Sequence, residues 1–193
     1  HRGRECVPGQ AGTGFHREIG MPMQHQNHAA TVAPAAPAQA ASQAHMLARE
    51  VGAAMFAADH ASRAFMQMEL VHCEPGHACL RMTVRDELLN GHRICHGGFI
   101  FTLADSTFAY ACNSYNKATV AAGCSIEFLK SAHPGDVLTC TGQEQTLQGR
   151  HGIYDMRVEN QRGEVIAMFR GKSAQIAGTV LPDSATCAAP TVR

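Results

Sequence analysis

One aspartate stands inside a long apolar segment of the chain. Residues 98–115 read GFIFTLADSTFAYACNSY, and Asp105 is the one charged residue among them. A carboxylate in a buried helix costs several kcal/mol unless it is paired or neutralised. Two interpretations follow. Asp105 either faces solvent or a neighbouring Ser or Thr hydroxyl, or it serves as a general base or nucleophile in a cleft.

The same segment opens on a histidine and two glycines, His96-Gly97-Gly98. Paired glycines allow a sharp bend and the close approach of a ligand, and the first amides of a helix have no partner within it. Such a terminus can bind an anion, or it can form an oxyanion hole in which an amide polarises a carbonyl group. A glycine turn without a ligand is the alternative.

The spacing of Gly97 and Asp105 suggests how they could act together. They are eight residues apart, which is about 12 Å along a helix axis. A base and an oxyanion donor must both come within about 3 Å of one carbonyl group. One helix cannot easily place both there, whereas two antiparallel copies across a two-fold axis can. If both residues are functional, we therefore expect a dimer.

Cysteine and histidine chemistry is less strongly indicated. His92, Cys95 and His96 are three possible zinc ligands, but a structural zinc site needs a fourth, and no second cluster with ligand spacing follows. Cys95 or Cys112 would need an activating base to act as a nucleophile, and the helical periodicity favours packing for Cys112. We therefore predict no metal site. The sequence has no GxxxxGKS/T phosphate loop and no GxGxxG motif, and we predict no cofactor.

The composition excludes several classes of protein. The 193 residues carry 16 Lys and Arg against 16 Asp and Glu, and a neutral chain is a poor candidate for binding nucleic acid or an anionic membrane. No stretch approaches the roughly 18 apolar residues of a spanning helix. The eight cysteines form no CxxC pair, which favours reduced, packed thiols and a cytoplasmic protein.

The chain divides into a compact unit and two tails. Residues 1–46 end in an Ala-rich stretch and lack the branched and aromatic residues of a core, and Pro34 and Pro37 are expected to interrupt any helix. Residues 179–193 are small and polar. We predict that both tails are disordered and that residues 47–178 form the folded domain.

Hydrophobic periodicity predicts the elements of this domain. It indicates helices at 46–60 and 98–115 and strands at 65–73, 77–84, 118–129, 137–147, 152–159 and 164–176. Short connections imply antiparallel neighbours, and a helix that is apolar almost all round must be buried on several sides. We predict an α+β fold in which one antiparallel sheet wraps around the second helix.

Motifs along this unit resemble one known family. They are NGHRICHGG at 90–98, LAD at 103–105, FAYACNS at 108–114, SIEFLK at 125–130, PGD at 134–136, GIYD at 152–155 and FRGKS at 169–173. In order and spacing they are similar to the hotdog-fold acyl-CoA thioesterases, most closely to the phenylacetate-degradation (PaaI-type) branch. The resemblance implies a hotdog fold, in which a sheet wraps one helix. It also implies a homodimer or homotetramer with the active site across the dimer interface.

The resemblance further implies roles for individual residues. Asp105 would be the catalytic carboxylate, which activates a water or attacks the thioester directly, and Gly97 would supply the amide that polarises the thioester carbonyl. His96 and Asn90 would shape the site around the acyl group and the sulfur. The residues expected to bind the substrate and its CoA moiety are Gly98, Ser106, Lys130, Arg150 and Lys172. Most charges near strand ends, where Arg150 and Lys172 lie, are solvated surface, and this is the alternative for these two residues.

The implied reaction converts an acyl-CoA and water into a carboxylic acid and free CoA, so that CoA is part of the substrate. Phenylacetyl-CoA and its ring-hydroxylated relatives are the expected esters, in the catabolism of aromatic acids. Some related thioesterases carry a Thr one turn after the carboxylate, where this chain has Ala109, so Ser106 or Thr107 would have to position the water. A non-catalytic acyl-CoA-binding module and an enoyl-CoA hydratase are the alternatives.

Overall fold

A computed structural model describes residues 37–182 of the protein. In chain order the elements are α1 (Pro37–Ala58), a π-helical turn (Ala61–Phe65), β1 (Glu69–Glu74), β2 (His77–Thr83), a 3-10 turn (Asp86–Leu88), α2 (Gly97–Asn113), β3 (Thr119–Phe128), β4 (Val137–Gln148), β5 (His151–Glu159) and β6 (Val165–Gln175). The predicted bounds of β2 to β6 are confirmed to within one residue.

The six strands form one antiparallel sheet in the order β1-β2-β4-β5-β6-β3. Turns that contain Gly76, Gly149 and Gly163, each at positive φ, close the β1–β2, β4–β5 and β5–β6 hairpins. β3 follows α2 and pairs with β6 at the far edge of the sheet. The predicted α+β class, with an antiparallel sheet packed against one long helix, is confirmed.

Helix α2 lies against one face of the sheet because its large apolar residues point there. The ring of Phe108 packs on Tyr154 and Phe169, with centroid distances of 5.5 and 5.9 Å. Strand β6 makes room for this ring with Gly171, where a Cβ atom would lie 2.9 Å from three ring carbons of Phe108. The close approach leaves Asp105 on the opposite, half-buried side of the helix.

Helix α1 begins at Pro37 and not near Met46. The prediction that Pro37 interrupts any helix is wrong, because a proline at the first helical position loses no intrahelical hydrogen bond. Residues 37–46, which the sequence assigned to a disordered tail, are therefore helical, although their side chains are exposed. Residues 1–36 and 183–193 of the two predicted tails lie outside the described residues.

The first strand also differs from its prediction. Residues 65–68 do not belong to β1, because the chain first makes the π-helical turn, in which the Met66 N–H donates to the Ala61 carbonyl at 2.9 Å. Gln67 then adopts a φ of 52°. Burial still alternates, with Met66 and Met68 in the core. That alternation is typical of a strand, which is why the sequence pattern did not reveal the turn.

Helix α2 ends at Asn113, two residues before its predicted end, because Asn113 ties the helix to β3. Its Oδ1 accepts from the Thr119 N–H and its Nδ2 donates to the Thr119 carbonyl, both at 2.9 Å. The next residue, Ser114, accepts a hydrogen bond from the Gly76 N–H at 2.8 Å. These contacts fix the C-terminal end of α2 on the sheet.

Candidate active site

The N-terminus of α2 presents one free backbone amide. His96 is the N-cap, in an extended conformation, and its Nδ1 accepts from the Gly98 N–H at 2.9 Å. An imidazole nitrogen that accepts a hydrogen bond carries no proton, so the histidine caps the helix through Nδ1. Within residues 37–182, no acceptor takes the Gly97 N–H. The geometry therefore leaves the Gly97 amide free for a carbonyl oxygen.

Gly97 lines a cleft of about 280 Å³. The other lining residues are Asn90, Ile94, Cys95, Ile100, Phe128, Leu129, Lys130 and Ser131. The ring of Phe128 covers the glycine so closely that a Cβ atom there would lie 3.2 Å from the ring. This cleft brings together Gly97, Asn90 and Lys130, three of the predicted site residues.

Asn90 holds the loop that forms one wall of the cleft. Its Oδ1 accepts from the His92 N–H at 2.9 Å and from the Ile94 N–H at 3.4 Å. The nearby Cys95 is buried, and burial raises the pKa of its thiol to about 11. Burial likewise raises the pKa of Cys112 to about 12. Both thiols are therefore protonated near neutral pH, which favours packing over nucleophilic chemistry.

Asp105 lines a second cavity, of about 500 Å³, between α2, the end of α1 and the π-helical turn. Its side chain is half-buried, and burial raises the pKa of its carboxyl group because the charged form loses hydration. No donor among residues 37–182 lies within hydrogen-bond distance of this carboxylate. An unpartnered carboxylate in a cavity is suited to take a proton from water or to attack a carbon atom.

The hydroxyl groups next to Asp105 are engaged elsewhere. Thr102 Oγ1 donates to the Gly98 carbonyl and Thr107 Oγ1 donates to the Leu103 carbonyl, each at 2.8 Å. Ser106 Oγ lies 2.8 Å from Ser62 Oγ. A structural aspartate held by a neighbouring Ser or Thr is therefore not what this helix contains. Thr107 is buried, which leaves Ser106, at the cavity wall, as the hydroxyl that could orient a water.

Gly97 and Asp105 line two different cavities of one chain, and these cavities share no lining residue. Both residues lie on the part of α2 that the sheet leaves half-exposed. One subunit thus presents the amide in one cavity and the carboxylate in another. That a complete site needs two subunits stays a prediction.

Lys130 stands at the rim of the Gly97 cleft and forms an ion pair with Glu164. Glu164 also accepts hydrogen bonds from Asn160 and Arg162. The hydrogen bonds from Lys130, Asn160 and Arg162 lower the pKa of Glu164 to about 2. The lysine is therefore held by a carboxylate that stays charged at any ordinary pH.

The remaining predicted substrate-binding residues are less close to the two cavities. Gly98 is exposed, and its N–H is used by the His96 cap. Arg150, in the β4–β5 turn, and Lys172, on β6, are both exposed. Neither lines the Gly97 cleft or the Asp105 cavity. Their position agrees better with solvated surface charge than with contacts near the reacting atoms.

Two polar residues of the Asp105 cavity that come before α2, Asp59 and Ser62, have no counterpart in the sequence prediction. Asp59 accepts from the Ser62 N–H at 2.9 Å and from the Tyr110 hydroxyl at 3.3 Å. Ser62 is buried and bonds to Ser106. Asp59 lies between α1 and the π-helical turn, and Ser62 lies within that turn, which the sequence pattern did not reveal. The available signal was Tyr110, a hydroxyl inside an otherwise apolar helix face.

The described residues contain no metal-ligand cluster, no membrane-spanning helix and no disulfide bond. In the part of the chain from 37 to 182, no cluster of three or more His, Cys, Asp or Glu is arranged to hold a metal ion. No helix in the same range is both long and apolar enough to cross a membrane. Six cysteines in this range are free thiols, and five of them are buried.

Comparison with known proteins places this chain in a family. Residues 92–167 match the family model of the thioesterase superfamily. The acyl-coenzyme A thioesterase PaaI of Escherichia coli is 43% identical over 127 residues, which are 66% of this chain and 90% of that enzyme. A putative esterase of Archaeoglobus fulgidus is 36% identical over 106 residues, 55% of this chain and 69% of that protein.

Solved structures agree with the sequence matches. The E. coli PaaI structure superposes with a TM-score of 0.68 at 41% identity and covers 70% of this chain and 97% of that one. A Streptococcus mutans protein bound to acetyl CoA has a TM-score of 0.58 at 29% identity and covers 63% of this chain and 98% of that one. This chain belongs to the thioesterase superfamily and is a thioester hydrolase with a hotdog fold. Within the superfamily it falls in the PaaI-type branch, as its motifs predict.

Proposed function

We propose that the protein hydrolyses phenylacetyl-CoA and ring-hydroxylated phenylacetyl-CoA esters to the free acid and CoA, in the catabolism of aromatic acids. The main support for this proposal is the Asp105 carboxylate, which has no hydrogen-bond partner among the described residues and lines a cavity of about 500 Å³. That volume suits a small aromatic acyl group. The similarity to an enzyme named acyl-coenzyme A thioesterase and to an S. mutans structure with bound acetyl CoA supports a CoA ester as the substrate. The similarity to E. coli PaaI, a protein from the phenylacetic acid degradation operon, supports the phenylacetyl group.

The proposed chemistry uses two groups. The thioester carbonyl oxygen accepts a hydrogen bond from the Gly97 N–H, which stabilises the negative charge that develops on this oxygen. Asp105 takes a proton from a water molecule, and the water oxygen attacks the carbonyl carbon. When the tetrahedral intermediate collapses, the C–S bond breaks and the proton passes to the sulfur of CoA. Alternatively, an Asp105 oxygen attacks first, and water then hydrolyses the resulting anhydride.

A homodimer is the proposed minimum unit, and two dimers could pair into a homotetramer. Strand β3 leaves its outer edge unpaired within the described chain, and such an edge is a ready template for another strand. Apolar side chains are exposed along and beside it, with Val120 at 46%, Phe128 at 53% and Leu129 at 61%. Joining two β3 edges would cover them and bring Gly97 of one copy toward Asp105 of the other.

The other predicted site residues take supporting roles in this proposal. His96 fixes the first turn of α2 and so aims the Gly97 amide, while Asn90 shapes the loop beside the sulfur. Lys130 is the proposed contact for a CoA phosphate, because it lines the Gly97 cleft. We propose a cytoplasmic enzyme that needs no cofactor, since CoA arrives with the substrate.

The test is CoA release from phenylacetyl-CoA, followed with a thiol reagent, for the wild-type protein and Asp105→Asn. The Asn side chain keeps the shape and removes the base, so we expect kcat to fall about a hundredfold or more. Asp86→Asn is the matched control, because Asp86 is exposed in the 3-10 turn and lines neither cavity. Tight ester binding without turnover by the wild-type protein would instead support a non-catalytic acyl-CoA-binding module. Water addition without CoA release would indicate a hydratase.

A further inference from the structure

A second carboxylate faces the cavity that holds Asp105. Asp59 directly follows α1, and its two oxygens are held from opposite sides. Oδ1 accepts from the Ser62 N–H at 2.9 Å, and Oδ2 accepts from the Tyr110 hydroxyl at 3.3 Å. Each carboxylate oxygen has two lone pairs, so each can accept one further hydrogen bond from a molecule in the cavity.

The Tyr110 hydroxyl group, on α2, donates to Asp59 throughout the ordinary pH range. Tyr110 is fully buried apart from 1% of its surface, and burial, with Asp59 beside it, raises the pKa of its hydroxyl group. The tyrosine therefore stays protonated and keeps donating to Asp59 throughout the ordinary pH range. Asp59 is thus fixed in place on the wall of the cavity rather than free to turn into solvent.

Of the described residues, none that lines this cavity carries a positive charge. Its walls consist of Met55, Ala58, Asp59, Ala61, Ser62, Thr102, Asp105, Ser106, Ala109 and Tyr110. Two carboxylates therefore meet apolar and hydroxyl groups, and the cavity is negative. Lys130, the basic residue that lines the Gly97 cleft, is itself paired with Glu164.

We propose that Asp59 determines the charge of the acyl groups that this enzyme accepts. It rejects acyl groups that end in a carboxylate by like-charge repulsion, and it admits neutral ones, including those with a hydroxyl group that can donate to it. The inference rests on the proposed function, because it takes the Asp105 cavity as the acyl pocket. Within the class of esters that the pocket binds, Asp59 selects neutral acyl groups over negatively charged ones.

Two esters of nearly the same shape provide the test: 4-carboxyphenylacetyl-CoA and 4-carbamoylphenylacetyl-CoA. Their acyl groups differ in charge, and the CoA part is common to both. We expect the wild-type protein to prefer the carbamoyl ester in kcat/KM by about tenfold or more, because like charges brought together are strongly disfavoured. In Asp59→Asn, which keeps an acceptor for the Ser62 N–H, this preference should fall toward unity. Asp86→Asn, outside the cavity, should keep it.

The possible results distinguish a failure of the role of Asp59 from a failure of the proposed thioesterase function. Hydrolysis of both esters with the same ratio in the wild-type protein and Asp59→Asn would overturn the role of Asp59 and leave the thioesterase proposal standing. No hydrolysis of any aromatic ester by the wild-type protein would overturn both. Should Asp59→Asn fail to fold, Asp59→Ser takes its place, because it also removes the charge and keeps a side-chain oxygen that can accept from the Ser62 N–H. A preference that falls with the removed charge supports the inference, and an unchanged preference contradicts it.

Discussion

At the scale of single residues, the molecule keeps a charge where folding alone would not place one. Asp105 is half-buried, and no donor among the described residues compensates it. Burial raises the pKa of the Asp105 carboxyl group, so its carboxylate accepts a proton from water more readily than an exposed one does. This property suits a general base. Function and stability should therefore oppose each other at this position.

We expect Asp105→Asn to unfold at a higher temperature than the wild-type protein at about pH 7. The folded-state pKa of Asp105 lies above the ordinary value of an aspartate, 3.8, so the folded protein binds this proton more tightly than the unfolded chain does. Stability from this group is present at low pH and is lost as the pH rises through the raised pKa. The gap in Tm should therefore narrow at about pH 4. Thermal unfolding at both pH values checks this, and a variant less stable than wild type at neutral pH would contradict it.

The role of the Gly97 amide can be separated from its shape. Gly97→Pro removes the N–H and adds a Cβ atom, whereas Gly97→Ala adds the same Cβ atom, 3.2 Å from Phe128, and keeps the N–H. Proline is tolerated at a first helical position, and His96 before it is already extended, with ψ of 131°. We expect Gly97→Pro to lower kcat about 100-fold or more relative to Gly97→Ala. Equal rates for the two variants would refute an oxyanion role for this amide.

At the scale of elements, the site depends on how closely α2 lies on the sheet. Gly171 in β6 admits the Phe108 ring, and the Asn113 side chain ties the end of α2 to β3. Together these contacts set the depth of the helix, and with it the position of Asp105 on the opposite side. The packing of α2 is therefore part of the machinery of the site.

Replacing Gly171 by Ala should lift the helix or displace Phe108. The added Cβ atom would lie 2.9 Å from three ring carbons, so overpacking should lower the free energy of unfolding by about 1–3 kcal/mol. Gly91→Ala is the control, because a Cβ atom there meets nothing within 4 Å. Denaturant unfolding measures both variants. A Gly171→Ala protein as stable as the control would show that α2 is not held at this point.

Elements with a clear periodicity could be predicted from the sequence. Strands β2 to β6 and helix α2 follow patterns of two and of three to four residues that packing against one core imposes. The π-helical turn could not be predicted, because Met66 and Met68 alternate in burial as a strand would. The start of α1 at Pro37 was missed because proline at a first helical position and proline within a helix leave the same mark in the sequence.

At the scale of the whole molecule, Gly97 and Asp105, the two groups of the proposed reaction, line different cavities of each chain. Their separation of eight residues predicted that one helix cannot easily bring both to the same carbonyl group, because helix geometry fixes the distance between them. Through the resemblance to a family, the sequence also indicated Asn90 and Lys130 as site residues, and the structure places both in the cleft of Gly97. The sequence did not indicate Asp59 or Ser62, because tertiary folding of the turn after α1 brings them to the Asp105 cavity. In the proposed dimer, the shared site makes activity depend on both subunits.

In the proposed mechanism, Asp105 of one subunit acts with Gly97 of its partner. The most direct test of this mechanism mixes Asp105→Asn subunits with Gly97→Pro subunits, co-expressed so that dimers form at random, and measures CoA release from phenylacetyl-CoA. Each mixed dimer should contain one doubly defective site and one intact site, so activity should recover to about a quarter of the wild-type value. If both residues acted within one subunit, no intact site would form, and the mixture would stay as inactive as its two components.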